Sequence, residues 1–209
     1  LNNKLIFKAI NHQNSNDEPW VSDGTSAGTF MLKEINPSSV TGCSMFNTAV
    51  FNNMVFFSAN DGVHGSELWK TDGTPEGTVM VKDIAPGDVS SRPGHLVVFK
   101  GVLYFSAYHP DTGTELWKTE GTEASTVLVA DITPDGASTN PGYLFPTENY
   151  LYFTNLTSLA LYRSDGTTSG SGLLSDEVKV GQLDNPWFTE YAGNVYFRAV
   201  ERTTADSKG

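Results

Sequence analysis

The sequence predicts an all-β repeat fold of four four-stranded antiparallel units plus one extra strand. Three observations carry that expectation. Glu-Leu-Trp-Lys-Thr-Asp-Gly-Thr at 67–74 returns as Glu-Leu-Trp-Lys-Thr-Glu-Gly-Thr at 115–122, with weaker copies ending in Asp-Gly-Thr at 18–25 and 161–167. The anchors Trp20, Trp69, Trp117 and Tyr162 are 49, 48 and 45 residues apart. Between them lie short aromatic and β-branched runs bounded by Gly, Asn, Asp and Pro, with no sustained helical period.

The second copy shows the plan of one unit. The run 53–59 reads as a first strand, closed by the turn formers Asn60-Asp61-Gly62, and 66–72 reads as a second. Asp72-Gly73-Thr74-Pro75-Glu76-Gly77 supplies hairpin chemistry, since Asp bonds backbone N–H groups and Gly accepts positive φ. The run 78–84 is the third strand, Ala85-Pro86-Gly87 ends it, and 95–99 is the fourth. First strands recur at 4–9, 102–107, 151–154 and 194–199, and third strands at 29–35, 126–132 and 171–176. Fourth strands fall at 45–51, 143–146 and 187–191.

Four-stranded units repeating every ~40–50 residues indicate a β-propeller, because one such sheet cannot cover both of its faces and stacks on its neighbours. The expected organisation is one repeat domain over 1–209. Its blades are 1–51, 52–100, 101–149 and 150–192, followed by an extra strand at 193–200 and a polar tail at 201–209. Adjacent strand residues point to opposite faces, so Leu68 and Trp69 should reach toward the two flanking blades. Copy four is degraded: it is three residues shorter before its second strand and has Tyr162 for Trp.

In these residues the chain resembles the ELWxxDGT-repeat family, large exported bacterial proteins thought to form β-propellers. The Trp, the Asp-Gly-Thr turn, Gly77-Thr78 and Asp83-Ile84 are all in register, and the match covers about residues 3 to 200. The resemblance implies a propeller and an exported location, and it transfers no catalytic residue.

With 24 acidic and 13 basic residues the formal charge is −11, which disfavours nucleic acid and anionic membrane surfaces as partners. No run approaches a membrane-spanning length. The chain begins at Leu1, read as a processed or excised terminus compatible with secretion. Cys43 has no intrachain partner and is expected as a small core or near-surface thiol.

The recurring Trp is expected between blades and the turn Asp (Asp23, Asp72, Asp165) in backbone bonds. Glu120 in copy three reads as a tolerated longer carboxylate. The loops at Asp61 and Asp111 lack the ligand spacing for calcium, and His12, His64, His95 and His109 lack zinc spacing. No nucleophile elbow, phosphate loop or zinc-protease motif appears. Arg92, Arg163, Arg198 and Arg202 lie on different units, unlike the arginine cluster a sialidase-type propeller would gather.

The expectation is therefore no catalytic, cofactor or metal site. The chain reads as a non-enzymatic extracellular or cell-surface module, structural and filament-forming or adhesive. It would contact protein or glycan, or itself through Val195, Tyr196 and Phe197. That strand is read either as docking on a neighbouring protomer or as the start of a fifth blade lost by truncation; the alternative to a contact module is a secreted glycan-processing enzyme. The sequon Asn155-Leu156-Thr157 is expected in an exposed loop.

Overall fold

The computed structural model describes residues 1, 3–11, 16–37, 43–134, 136–180 and 188–201, and among them there are strands and turns but no helix. His12, Trp187, Arg202 and the tail 202–209 lie outside the described residues. Strands β1 (Leu5–Asn11), β2 (Asn16–Ser22) and β3 (Phe30–Met31) form a three-stranded sheet.

Three four-stranded antiparallel sheets follow. The first holds β4 (Cys43–Phe51), β5 (Met54–Asn60), β6 (Ser66–Thr71) and β7 (Val79–Lys82). The second holds β8 (Gly94–Phe99), β9 (Val102–His109), β10 (Gly113–Thr119) and β11 (Val127–Ala130). The third holds β12 (Pro141–Pro146), β13 (Leu151–Asn155), β14 (Leu161–Ser164) and β15 (Gly172–Ser175). Two short pairs complete the chain, β16 (Val178–Val180) with β19 (Ala199–Glu201) and β17 (Thr189–Tyr191) with β18 (Asn194–Tyr196). This is a propeller-type all-β repeat, each sheet a blade.

Sheet and sequence repeat are offset by one strand. The run expected as the fourth strand of unit 52–100 is β8, and it pairs with β9, Phe99 facing Val102 and Val98 facing Leu103. It therefore opens the following sheet. The reason is local: Lys100 and Gly101 have φ of 48° and 73°, a two-residue turn whose twist matches a tight hairpin. β4 joins β5, and β17 joins β18, through similar links. By hydrogen bonding the sheets span 5–31, 43–82, 94–130 and 141–175, in place of the blade limits 1–51, 52–100, 101–149 and 150–192.

Neighbouring sheets approach most closely along β4, β8 and β12, which lie side by side as the inner strands. Leu68 joins Phe56, Val81, Leu103, Phe105 and Trp117 in the core between the second and third sheets. Trp69 turns the other way, into a core with Ile35, Cys43, Phe57 and Ala59 beside the first sheet. Leu116 and Trp117 divide in the same manner, Leu116 packing with Leu151, Phe153 and Tyr162. Both Trp69 and Trp117 are only 6% exposed, so the Trp is a packing residue, and the two-faced Leu-Trp pair behaves as the alternation of a strand requires.

Candidate functional site

The most repeated polar feature is the hairpin turn. Asp72 Oδ1 accepts Thr74 N at 2.9 Å and Thr74 Oγ1 at 2.7 Å, and Gly77 N donates to Thr74 Oγ1 at 3.0 Å. Thr71 Oγ1 accepts Gly73 N, and Thr78 Oγ1 donates to Thr74 O. Asp23 and Asp165 make the same bonds to Thr25 and Thr167. In each case the threonine hydroxyl, acting on the charged form, holds the carboxyl below its ordinary value. Backbone geometry demands the glycine after the Asp, Gly73 having φ of 86°.

Copy three does not work as the sequence suggested. Glu120 does not replace Asp in the turn; its side chain is exposed. Ser125 Oγ instead accepts Glu120 N at 3.1 Å, Thr122 N at 3.0 Å and Thr122 Oγ1 at 2.8 Å. Ser125 stands where the other copies have Gly28, Gly77 and Gly170, at each of which a Cβ would come within 2.0 Å of the turn carboxylate. Aspartate with glycine, or glutamate with serine, are two ways to fill one oxygen position.

The glutamate of each Glu-Leu-Trp is a second scaffold device, one the sequence reading did not single out. Glu18, Glu67 and Glu115 are fully buried. Glu67 accepts Ile84 N at 2.9 Å, Ser91 N at 3.0 Å and Ser91 Oγ at 2.5 Å, tying the loop after β7 to β6. Glu18 accepts Ile35 N and Asn36 N, and Glu115 accepts Ile132 N and Thr139 N. Burial pushes each carboxyl above its ordinary value, outweighing the hydrogen bonds that favour the charge. The signal was present in the sequence as Glu recurring directly before the buried Leu-Trp pair, a charge in a buried place that demands partners.

The loop carboxylates and histidines whose spacing argued against a metal site take part in local structure. Asp61 Oδ1 accepts Val63 N and His64 N, while Oδ2 lies 2.7 Å from His64 Nδ1, which raises the imidazole pKa. His109 packs its ring 6.1 Å from Trp117. His95 sits on β8 beside Tyr143 of β12, and burial lowers its pKa. Among the described residues no three His, Cys, Asp or Glu side chains converge as metal ligands. Cys43 is buried, its thiol pushed up to about 12 by desolvation.

One open cleft of about 560 Å³ is lined by Asp88, Val89, Ser90, Arg92, Tyr108 and Thr114. It forms where the loop after β7 crosses to the next sheet, Arg92 N donating to Ser66 O and Tyr108 N to Ser91 O. At the next junction Gly136, Asn140 and Leu156 stand at the positions of Asp88, Arg92 and Tyr108. Among the described residues the combination of an arginine, a carboxylate and a half-buried phenol occurs at this cleft and not at the junction that follows.

Two expectations about the end of the chain are corrected. The extra strand 193–200 is not one strand: Val195 and Tyr196 pair in β18 with Glu190 and Thr189, whereas 199–201 pair with β16. Phe197 lies between them with its ring 5.8 Å from Phe188, which stacks on Phe145 of β12. β17 and β18 thus repeat the inner half of a blade. The sequon asparagine is not exposed: Asn155 is buried, and its Oδ1 accepts Thr157 N and Ser158 N, because the shortened loop turns back on that side chain.

No protein-family model and no curated protein matches the chain. Among solved structures it is similar to a prolyl endopeptidase at 13% identity and a TM-score of 0.47, over 96% of this chain and 31% of that one. It is also similar to an α-L-arabinofuranosidase from Clostridium thermocellum at 16% identity and a TM-score of 0.39, over 100% of this chain and 82% of that one. The chain spans about a third of the prolyl endopeptidase's length.

Proposed function

We propose that the chain is a non-enzymatic extracellular contact module of the ELWxxDGT-repeat type, acting as a structural or adhesive surface unit toward protein or glycan. The observation that carries this reading is the use made of its recurring polar residues. The turn aspartates hold hairpins, the buried glutamates hold loops, and the lysines of the Glu-Leu-Trp-Lys strand bridge sheets. The inner strands β4, β8 and β12, where a propeller would gather catalytic carboxylates, contain no Asp or Glu. Outward and differing between copies is the Arg92, Tyr108 and Asp88 cleft, whose guanidinium and phenol suit stacking on and hydrogen bonding to a polar ligand such as a sugar.

A panel of glycans and surface proteins should be screened with wild type and with Arg92→Ala and Tyr108→Ala. Binding weakened at least tenfold in both variants at unchanged melting temperature supports the reading. Release of reducing sugar from a polysaccharide by the wild-type chain overturns it.

A further inference from the structure

The cleft at Arg92 and Tyr108 is framed from behind by buried hydrogen bonds. Glu67, fully buried, accepts Ser91 N and Ser91 Oγ, and Ser91 O in turn accepts Tyr108 N at 2.8 Å. The Ser66 carbonyl accepts Arg92 N at 3.0 Å, and Ser66 N donates to Ser90 Oγ at 2.9 Å. The backbone at Gly65 runs so close to Val89 that a Cβ there would come within 2.6 Å of the Val89 carbonyl oxygen. Both walls are therefore fixed before anything binds, which lowers the ordering cost of a ligand.

The groups that face the open space are of a different kind. The Ser90 and Ser91 hydroxyls are taken up by the frame. Among the described residues, the Asp88 carboxylate, the Arg92 guanidinium and the Tyr108 and Thr114 hydroxyls have no hydrogen-bond or ion-pair partner. An acid and a base thus line one cleft and leave each other unpaired. Val89, exposed, adds an apolar edge. Arg92 also holds a backbone φ of 50°, a left-handed conformation that asparagine accepts more readily and that Asn140 adopts at the next junction. Arginine there costs stability that the junction does not require, so its side chain, not its backbone, accounts for its presence.

We infer that this cleft binds a neutral oligosaccharide through adjacent ring hydroxyls, with Asp88 accepting from them, Arg92 donating to them and the Tyr108 ring lying against the sugar face. The inference rests on the contact-module reading above and names its ligand class. Each sugar hydroxyl both donates and accepts, so a diol satisfies carboxylate and guanidinium together, whereas an anion satisfies only Arg92 and a cation only Asp88. The net charge of −11 adds to the penalty on an anion. A small zwitterion meets both charges but leaves Tyr108 and Val89 uncovered, where the C–H face of a sugar packs. The volume of about 560 Å³ falls within the range of small-molecule sites, about 300–1,000 Å³.

Isothermal titration calorimetry on the full chain tests this with trisaccharides of glucose, mannose, galactose and xylose, with trigalacturonate as the acidic analogue and glycylglycine as the zwitterion. At least one neutral trisaccharide should bind, at least about tenfold tighter than trigalacturonate or glycylglycine. Asp88→Asn should weaken the neutral sugar and narrow its advantage over trigalacturonate, because the repelling carboxylate is gone. Arg92→Asn should weaken the neutral sugar at least about tenfold while the melting temperature stays level or rises, since asparagine fits the left-handed backbone better. Tyr108→Leu, which brings in the residue type of Leu156 at the next junction, should weaken binding at unchanged melting temperature.

No binding of any neutral trisaccharide at millimolar concentration, or tighter binding of trigalacturonate or glycylglycine, would overturn the inference. So would a lower melting temperature in Arg92→Asn, which would make the arginine structural. The contact-module reading falls separately, by release of reducing sugar from a polysaccharide. It survives the loss of this inference if a surface protein or an acidic glycan binds in an Arg92-dependent way while the neutral sugars do not.

Discussion

Replacing Ser125 by glycine should destabilise the third sheet, although the other copies carry glycine at that place. In copy three the Ser125 hydroxyl accepts from Glu120 N, Thr122 N and Thr122 Oγ1 and donates to Thr122 O. The turn is exposed, so water replaces part of what is lost, and hydrogen bonds of this kind contribute about 0.5–1.5 kcal/mol each. Releasing a glycine in the unfolded chain adds about 0.4–1 kcal/mol. The expected loss is about 2–3 kcal/mol, which at about 2–4 °C per kcal/mol lowers the melting temperature by roughly 4–12 °C.

The second half of the test is the restoration. With glycine at 125 there is room for a short carboxylate, so Ser125→Gly combined with Glu120→Asp recreates the turn of Asp72 and Gly77. It should recover most of the loss, with a coupling of at least about 1 kcal/mol in a double-mutant cycle. Glu120→Gln alone should change nothing, because the Glu120 carboxylate is exposed and holds no part of the turn. Glu120→Asp alone completes the cycle, and thermal and urea unfolding read all five proteins. Ser125→Gly as stable as wild type, or a double variant no better than the single, would refute the exchange of one oxygen for another.

Trp69→Ala should cost about 3–5 kcal/mol by opening the core between the first two sheets, measured by urea unfolding; unchanged stability with loss of a ligand would make Trp69 a binding residue. Burial raises the Glu67 pKa, so its contribution is fully present below the unfolded value and is lost as pH rises through the folded one. The urea midpoint of wild type relative to Glu67→Gln should accordingly climb as pH falls from 8 toward the ordinary glutamate value of 4.5, while the turn aspartates act equally in both proteins and cancel. Cys43, buried with its thiol near 12, should resist an aromatic disulfide reagent in the native state and react once unfolded; native labelling at the unfolded rate would contradict its burial.

Most of the fold was legible because the sequence repeats its own punctuation. Asp-Gly-Thr marks each hairpin, and Leu-Trp marks a strand buried on both faces, so strand type and order follow from the chain alone. What failed was the grouping. A repeat read along the chain has no natural first strand, and the hydrogen-bonded unit is decided by connection length, the two-residue Lys100-Gly101 turn against the stretch 83–93. The Glu120 reading failed for a related reason: its compensation lies five positions away at Ser125, a substitution that looks neutral until the turn is closed. The burial of Asn155 was hidden because the loop shortened by three residues recruits the sequon side chain as its own turn acceptor.

The recurring residues were the first to draw notice and are also the ones least able to report function. Leu68 faces forward, Trp69 backward, Glu67 inward, Lys70 across to the next turn, and Gly73 lies flat against Ile6. Every position of the motif is thereby accounted for by stacking one sheet on the next. A residue fixed by that requirement in each copy cannot also be fixed by a ligand that meets only one copy. Specific contacts must then come from positions where copies differ. Among the described residues, the Arg92 and Tyr108 cleft is such a place. Copy four is where the motif drifts furthest, with Ala160 for the buried Glu and Tyr162 for Trp, yet it keeps a cation at 163 and an aromatic ring at 152. Neither group is required to receive a turn, since Ile6 and Val21 stand at those positions where the first sheet meets Gly73, so both positions are free to differ between copies.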